Sequence, residues 1–284
     1  MSNLAYCIPL IHPSAVHSWV EVCNRLCETV SSLINASGSN AGIFIGTNRE
    51  ASLPKLPLCV TNIPLDIPPP ASPVFRHAAL SEETHRELVR LDKGLKLLAA
   101  ITQARACGYQ YIMTVDADDL VSNRVPQWVK HNLGVPGWYV QQGWLHTVGS
   151  RWIYREPQFH EICGTCFIIR IDILDIPTDP SLMPEDAIKK KLGSHKFLTK
   201  ILESRGTPLA PLPFPGGVYR IGHEGNVSET VSLKALCFQR YMLRQRPLKF
   251  AKNLLRLRPL TRSFQSEFGL NCPKVVTPPT TQNI

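Results

Sequence analysis

The sequence predicts an α/β fold, with a mostly parallel sheet, helices on both faces and a helical C-terminal extension. Three observations predict it. Short apolar runs alternate with long stretches of helical periodicity along the N-terminal half. Pro, Gly, Asn or Asp bounds most of the runs, as turn chemistry requires. The order strand, helix, strand, then helix, strand needs crossover connections, which lay successive strands parallel.

The first run, 5–11 (AYCIPLI), reads as a buried strand ending at His12-Pro13. Over 15–34, apolar residues recur at Val16, Trp19, Val20, Cys23, Leu26, Val30, Leu33 and Ile34, a helical spacing with Ser14 as the expected N-cap. Residues 41–47 (AGIFIGT) and 58–63 (LCVTNI) read as the second and third strands, and the proline-rich connections around them as loops. Ser81 opens a helix with Glu83 and Glu87 early, where carboxylates suit the helix dipole. It ends at Cys107-Gly108, and 109–115 (YQYIMTV) is a strand leading into Asp116-Ala117-Asp118-Asp119. Open sheets of this kind bind ligands at the carboxyl ends of their strands.

Composition narrows the function classes. Of 284 residues, 44% are hydrophobic and 19% charged, which excludes a wholly disordered chain. The net charge of +9 suits an anionic partner. No apolar run reaches the length of a membrane-spanning helix, and the start (MSNLAYCIPLIHP) lacks the basic and apolar blocks of a signal peptide. Nine dispersed cysteines, an odd count, fit free thiols in a reducing cytoplasm, the expected location. Cys163-x-x-Cys166 has no second pair to complete a zinc site.

The acidic cluster carries the chemistry. Aspartates at 116 and 118, just past a buried strand, can aim two carboxylates into one crevice. Hard divalent cations such as Mn²⁺ or Mg²⁺ prefer such oxygen ligands and neutralise a departing diphosphate. The plain alternative is a solvated turn, because aspartate is common in turns.

The stretch from Leu91-Asp-Lys-Gly through Gly108-Tyr-Gln-Tyr-Ile-Met-Thr-Val-Asp-Ala-Asp-Asp resembles the core of GT-A fold glycosyltransferases of the family 2 type. So do Ile8-Pro9-Leu10, the segment Cys163-Gly-Thr-Cys-Phe-Ile-Ile-Arg170, and Tyr219-Arg-Ile-Gly-His-Glu-Gly-Asn-Val-Ser228. The resemblance implies a Rossmann-like GT-A catalytic domain over 1–230. It also implies a nucleotide-diphosphate sugar as donor, UDP by default, and a hydroxyl of a glycan or glycolipid as acceptor. On that basis Asp118 is the expected main metal ligand and His223 the third. Asp116 contacts ribose or metal, and Lys93 meets the diphosphate. Pro9, Leu10 and Asn48 line the base and ribose pocket.

The family pattern breaks at the catalytic base. Its carboxylate pair is expected ahead of the helix at 197–204, where this chain reads Leu192-Gly-Ser-His195-Lys196. His195 is the favoured base, since histidine titrates near neutrality. Glu185 and Asp186, upstream, are the alternative, and a retaining mechanism without a base at that position is a third. The proline-interrupted gap before Leu192 reads as a mobile loop. Among Trp128, Trp138, Trp144 and Trp152, one is expected to meet the acceptor, with His146, His160 and Glu161 as nearby polar candidates.

The extension, 231–270, mixes leucines with arginines and lysines and carries an interruption at Pro247. It reads as a basic amphipathic segment for an anionic membrane surface, or as helices packed on the catalytic domain. The tail from 271 to 284 reads as disordered. Two rival functions remain in view. A sugar nucleotidyltransferase would want glycines after the first strand, where this chain has Ile11-His-Pro-Ser-Ala. A noncatalytic GT-A-like binding protein would explain the missing carboxylate pair. No nucleic-acid module is recognisable, so nucleic acid is not an expected partner.

Overall fold

A computed structural model describes residues 3–38, 41–69, 81–222, 233 and 245–270. Seven strands form the larger sheet: β1 (Leu4–Pro9), β2 (Gly42–Asn48), β3 (Val60–Leu65), β4 (Tyr111–Thr114), β6 (Gly137–Tyr139), β9 (Phe167–Arg170) and β10 (Ala210–Pro211). Their order is β10-β6-β9-β4-β1-β2-β3. Strands β3, β2, β1 and β4 run parallel, and β9 alone is antiparallel to both its neighbours. The smaller sheet holds β5 (Leu120–Val121), β7 (Gly143–Thr147), β8 (Trp152–Glu156), β11 (Gly217–Ile221) and β12 (Leu257–Pro259), in the order β12-β8-β7-β11-β5.

β2 is buried along its whole length and β1 nearly so, which is why their sequences are near-continuous apolar runs. Two long helices flank this sheet. α1 (Trp19–Ser37) buries Val22, Cys23, Leu26, Val30 and Leu33, the face its periodicity marks out. It starts later than the sequence suggests. Ser14 sits in a 3-10 turn at Pro13–Ala15, and Ser18 is the cap, its hydroxyl accepting from Glu21 N–H at 3.3 Å. α2 (Glu82–Ala106) is capped by Ser81 as expected, through Thr84 N–H at 3.1 Å. It lies very close to β2. A Cβ on Gly46 would stand 2.5 Å from the Lys96 carbonyl oxygen, so only glycine fits there. Each Leu, Ile or Val fully buried in this core stabilises the fold by about 1.5–3 kcal/mol.

Three further helices support the middle of the chain: α3 (Val125–His131), α4 (Phe159–Ile162) and α6 (His195–Ser204). The segment expected as a loop before Leu192 carries two 3-10 turns and a helix, α5 (Glu185–Lys191). The cause is local packing. Ile188 is buried against α2, where Gly94 leaves room for it.

The described part of the extension divides in two. The helical path breaks at Arg246, between Gln245 and Pro247, and Pro247 opens α7 (Pro247–Arg256) at its first position, where its missing N–H costs nothing. Leu257–Pro259 then joins the smaller sheet as β12 beside β8. α8 (Arg262–Phe268) docks on α1, with the Ser32 hydroxyl donating to Phe268 O at 2.8 Å and Asn35 to Ser266 O at 3.0 Å. Residues 234–244 and the tail 271–284 lie outside the described residues. Among the described residues no helix is long and apolar enough to cross a membrane. Seven of the cysteines are described, and all seven are free thiols.

Candidate functional site

β4 is a short buried strand at the middle of the larger sheet, and the chain leaves its carboxyl end through Asp116-Ala117-Asp118-Asp119. The backbone of that turn is fixed from several directions. Asp116 N–H donates to the Thr165 hydroxyl at 2.9 Å, and the Thr29 hydroxyl donates to Ala117 O at 3.0 Å. The Arg220 guanidinium donates to Asp118 O, to Arg25 O at 3.1 Å, and to the Glu28 carboxylate. Arg220 is only 2% exposed, so this clamp is built into the interior.

Asp119 is the inward-facing member of the acidic run. It is fully buried and accepts from the Thr165 hydroxyl at 2.5 Å, the Cys163 thiol at 3.1 Å and Arg220 N–H at 3.3 Å. Burial, then the neighbouring charges of Asp118 and Asp116, push its carboxyl well above the usual range. Thr165 thus bridges two members of the run, holding the Asp116 backbone with one lone pair and bonding Asp119 through its hydroxyl proton.

With the backbone held, the Asp116 and Asp118 side chains line a cleft of about 660 Å³. Its wall at the end of β1 is apolar, from Pro9, Leu10, Ile11 and Val22. α2 contributes Arg90, Asp92 and Lys93. The Lys93 ammonium lies 2.5 Å from an Asp116 carboxylate oxygen. Burial alone would lower its pKa, but the Asp116 charge more than offsets this and the ammonium is held above its usual value. Gly164 lies against that pair. A Cβ there would stand 2.4 Å from Asp116 Oδ2 and 2.7 Å from Lys93 Nζ.

The opposite wall comes from the smaller sheet and α6. Leu145, Glu156, Tyr219 and Ile221 face the cleft, as do Glu161, Ser194, His195 and Lys196. His195 Nε2 lies 3.1 Å from the Glu161 carbonyl oxygen, which can only accept, so Nε2 carries the proton and Nδ1 the lone pair. Burial, then the Lys93 charge, lowers the ring's pKa below the usual 6.5, which keeps it neutral at pH 7.

Behind the β1 end lies a second buried group. Lys96, without exposure, pairs with Asp92 at 2.7 Å. Burial lowers the lysine and raises the aspartate, each partly restored by the other. Asp92 Oδ1 and His12 Nε2 are buried there with no hydrogen-bond partner.

The structure therefore brings Pro9, Leu10, Lys93, Asp116, Asp118 and His195 to one cleft. It does not bring Asn48, which is buried at the end of β2 with its amide donating to Ile67 O at 3.1 Å. Glu185 and Asp186 sit on the outer part of α5, and Asp186 pairs with Lys189 and Lys190. His223 lies outside the described residues. None of the four tryptophans is in the cleft wall. Trp128 packs on Trp138 and Phe214, Trp144 packs on Phe264, and Trp152 is exposed. Asp119, Gly164, Thr165 and Arg220 were not singled out by sequence reasoning, although the last three fall inside the segments 163–170 and 219–228. A signal for Asp119 was present. An acid directly before the apolar pair Leu120-Val121, at a sheet strand, must find internal partners.

Among the described residues no group of three His, Cys, Asp or Glu side chains is arranged to hold a metal ion. The two carboxylates still suit Mg²⁺ or Mn²⁺, which often take only one or two protein carboxylates and complete their shell with substrate phosphates and water.

No protein-family model matches the chain, and no curated protein matches it. Among solved structures, two of S. aureus TarS 1–349, one of them in complex with UDP, are similar at a TM-score of 0.41 and 12% identity. The similarity covers 76% and 77% of this chain, and the chain spans 60% of the length of each of those structures.

Proposed function

We propose that this chain is a GT-A type glycosyltransferase that moves a sugar from a nucleotide-diphosphate donor to an acceptor hydroxyl on a glycan or glycolipid. The observation that carries the reading is the pair Asp116 and Asp118. They stand at the carboxyl end of a central strand, beside Lys93, in a cleft with an apolar slot at the end of β1. The slot suits a base, with Pro9 and Leu10 as its walls. Lys93 meets the diphosphate, trading part of its contact with Asp116 for phosphate oxygens. A divalent cation held by Asp116 and Asp118, with His223 as a further ligand, would supply charge neutralisation of the departing nucleoside diphosphate.

His195 is the base in this reading. Its Nδ1 takes the acceptor hydroxyl proton as that oxygen bonds to the anomeric carbon. The bond from that carbon to the diphosphate breaks, and its electron pair leaves with the phosphate oxygen. A single displacement of this kind inverts the anomeric centre. Cytoplasmic location and a UDP-linked donor are part of the same proposal.

The test is donor hydrolysis across a panel of nucleotide sugars, with and without Mn²⁺, for wild type and Asp118→Ala, alongside nucleotide binding by calorimetry. Release of one nucleotide that needs metal and is lost in Asp118→Ala supports the reading and names the donor. Neither turnover nor metal-dependent nucleotide binding in the wild type refutes it.

A further inference from the structure

We propose that the outward face of α7 is a docking surface for an anionic phospholipid bilayer. A soluble surface helix buries its apolar stripe and shows water its charges. α7 shows water its leucines as well as its lysines. Its inward side is Asn253 and Phe250, with Asn253 bonded to the Tyr154 hydroxyl of β8 at 3.1 Å. Its outward side holds Leu248, 80% exposed, Leu255, 73% exposed, and Leu254, 48% exposed. Leu248 and Leu255 are seven residues apart, two helical turns, and so fall on one line along the axis.

Charge complementarity identifies the occupant. Lys249 and Lys252 are exposed along the flank of that apolar line. Arg246, Arg258 and Arg262 continue the basic character, and 245–262 contains no carboxylate. Leucines that enter the acyl boundary beside lysines that meet lipid phosphates are the two halves of interfacial binding. A second feature lies next to the helix. Trp152 shares the Tyr154 face of β8, pairs in register with Pro259, and is 53% exposed. An exposed indole is suited to the headgroup level.

The docking face is tied to the cleft. Leu257, immediately after α7, packs against the cluster of Leu145, Tyr154, Ile221 and Leu233, of which Leu145 and Ile221 line the cleft. The docking itself does not depend on the reaction assigned to the cleft, and vesicle binding can be scored without donor or turnover.

The experiment is sedimentation of the full chain with vesicles of phosphatidylcholine alone, or with about a third phosphatidylglycerol, at moderate salt. Wild type is expected to sediment with the anionic vesicles and stay in solution with the neutral ones. Lys249→Gln with Lys252→Gln is expected to weaken binding about 25-fold, roughly fivefold for each lysine near the surface. Leu248→Ser with Leu255→Ser is expected to weaken it about tenfold or more, since burying these side chains drives insertion. All four positions face solvent, so thermal melts of the variants should match wild type. Three results would overturn the proposal. One is absence of binding to anionic vesicles. Another is binding that neither pair of substitutions changes. The third is a dimer in ultracentrifugation that the leucine pair dissociates while vesicle binding stays at the wild-type level.

Discussion

Thr165→Val tests whether the acidic turn is held as the geometry implies. The substitution keeps the shape of the side chain and removes one oxygen. That oxygen accepts from Asp116 N–H at 2.9 Å and donates to the fully buried Asp119 at 2.5 Å. Losing the first bond costs about 1 kcal/mol, and losing the bond to a buried acid costs about 1.5–3 kcal/mol. Together the fold should lose about 3 kcal/mol, which corresponds to a fall in melting temperature of about 5–10 °C for a chain of this size. Asp116 would also lose its backbone anchor, and supporting contacts of this kind are worth about tenfold or more in metal-linked affinity. Urea denaturation measures the first effect, and calorimetric titration of UDP with Mn²⁺ measures the second. Thr165→Ser, which keeps the hydroxyl, should recover most of both. A valine variant within about 0.5 kcal/mol of wild type would refute the reasoning. So would a serine variant as weak as the valine one.

Gly164→Ala should separate binding from stability. Its new methyl would press on the Asp116 and Lys93 side-chain ends, which can move, so unfolding should change by less than about 1 kcal/mol while metal-supported nucleotide affinity drops at least about tenfold. An alanine variant that binds nucleotide like wild type would remove the Lys93–Asp116 pair from the donor site. Lys96→Met should destabilise the fold by about 3–5 kcal/mol, because it strands the Asp92 carboxylate in the interior. Lys96→Met with Asp92→Leu should regain most of that loss in a double-mutant cycle. The His195 ring is held below its usual 6.5 by burial and Lys93. A depressed histidine contributes stability that is present above 6.5 and lost as pH falls through its folded value. The same neutral ring is the proposed base, so kcat/KM should fall on acidification with an apparent pKa below 6.5. A flat acid limb, or one that survives His195→Asn, would rule out His195 as the base.

Much of the frame was legible because it follows from local pattern. β1, β2 and β4 are apolar runs buried on both faces, α2 is announced by Ser81 and its acidic first turn, and both ends match what the sequence predicts to within a residue or two. The late start of α1 was not legible. Ser14 and Ser18 are equivalent as caps in sequence, and the choice is made by His12, whose Nδ1 accepts from Ser14 N–H and diverts it into a 3-10 turn. α5 was hidden for a similar reason. Its segment is rich in proline, and only the space left by Gly94 on α2, distant in sequence, rewards a helix that buries Ile188. The direction of β9 is a tertiary fact, and no run of residues encodes it.

The same division explains the site. Asp116 and Asp118 line a cleft at a strand end, and that placement follows from the apolar run before them. Their neighbours could not be ranked in the same way. Asn48 has the same credentials as Pro9, since both end a parallel strand, yet it is buried outside the cleft wall, its Nδ2 donating to Ile67 O and its Oδ1 without a hydrogen-bond partner. Glu185 and Asp186 look like a general base by composition, but both are exposed on α5 outside the cleft wall, and Asp186 pairs with Lys190 four residues on. His195 looked weaker in sequence, as a lone histidine beside a serine. It reaches the cleft because Ser194 caps α6 and the Glu161 carbonyl, on the same wall, fixes the ring. What separates these residues is first whether they line the cleft, as Asp116, Asp118 and His195 do and Asn48, Glu185 and Asp186 do not. A carboxylate or imidazole can act on a substrate only with an oxygen or nitrogen left to do so. At His195, in the cleft wall, the bond to Glu161 leaves Nδ1 as that nitrogen, whereas Asp186 stands exposed outside the cleft beside Lys189 and Lys190.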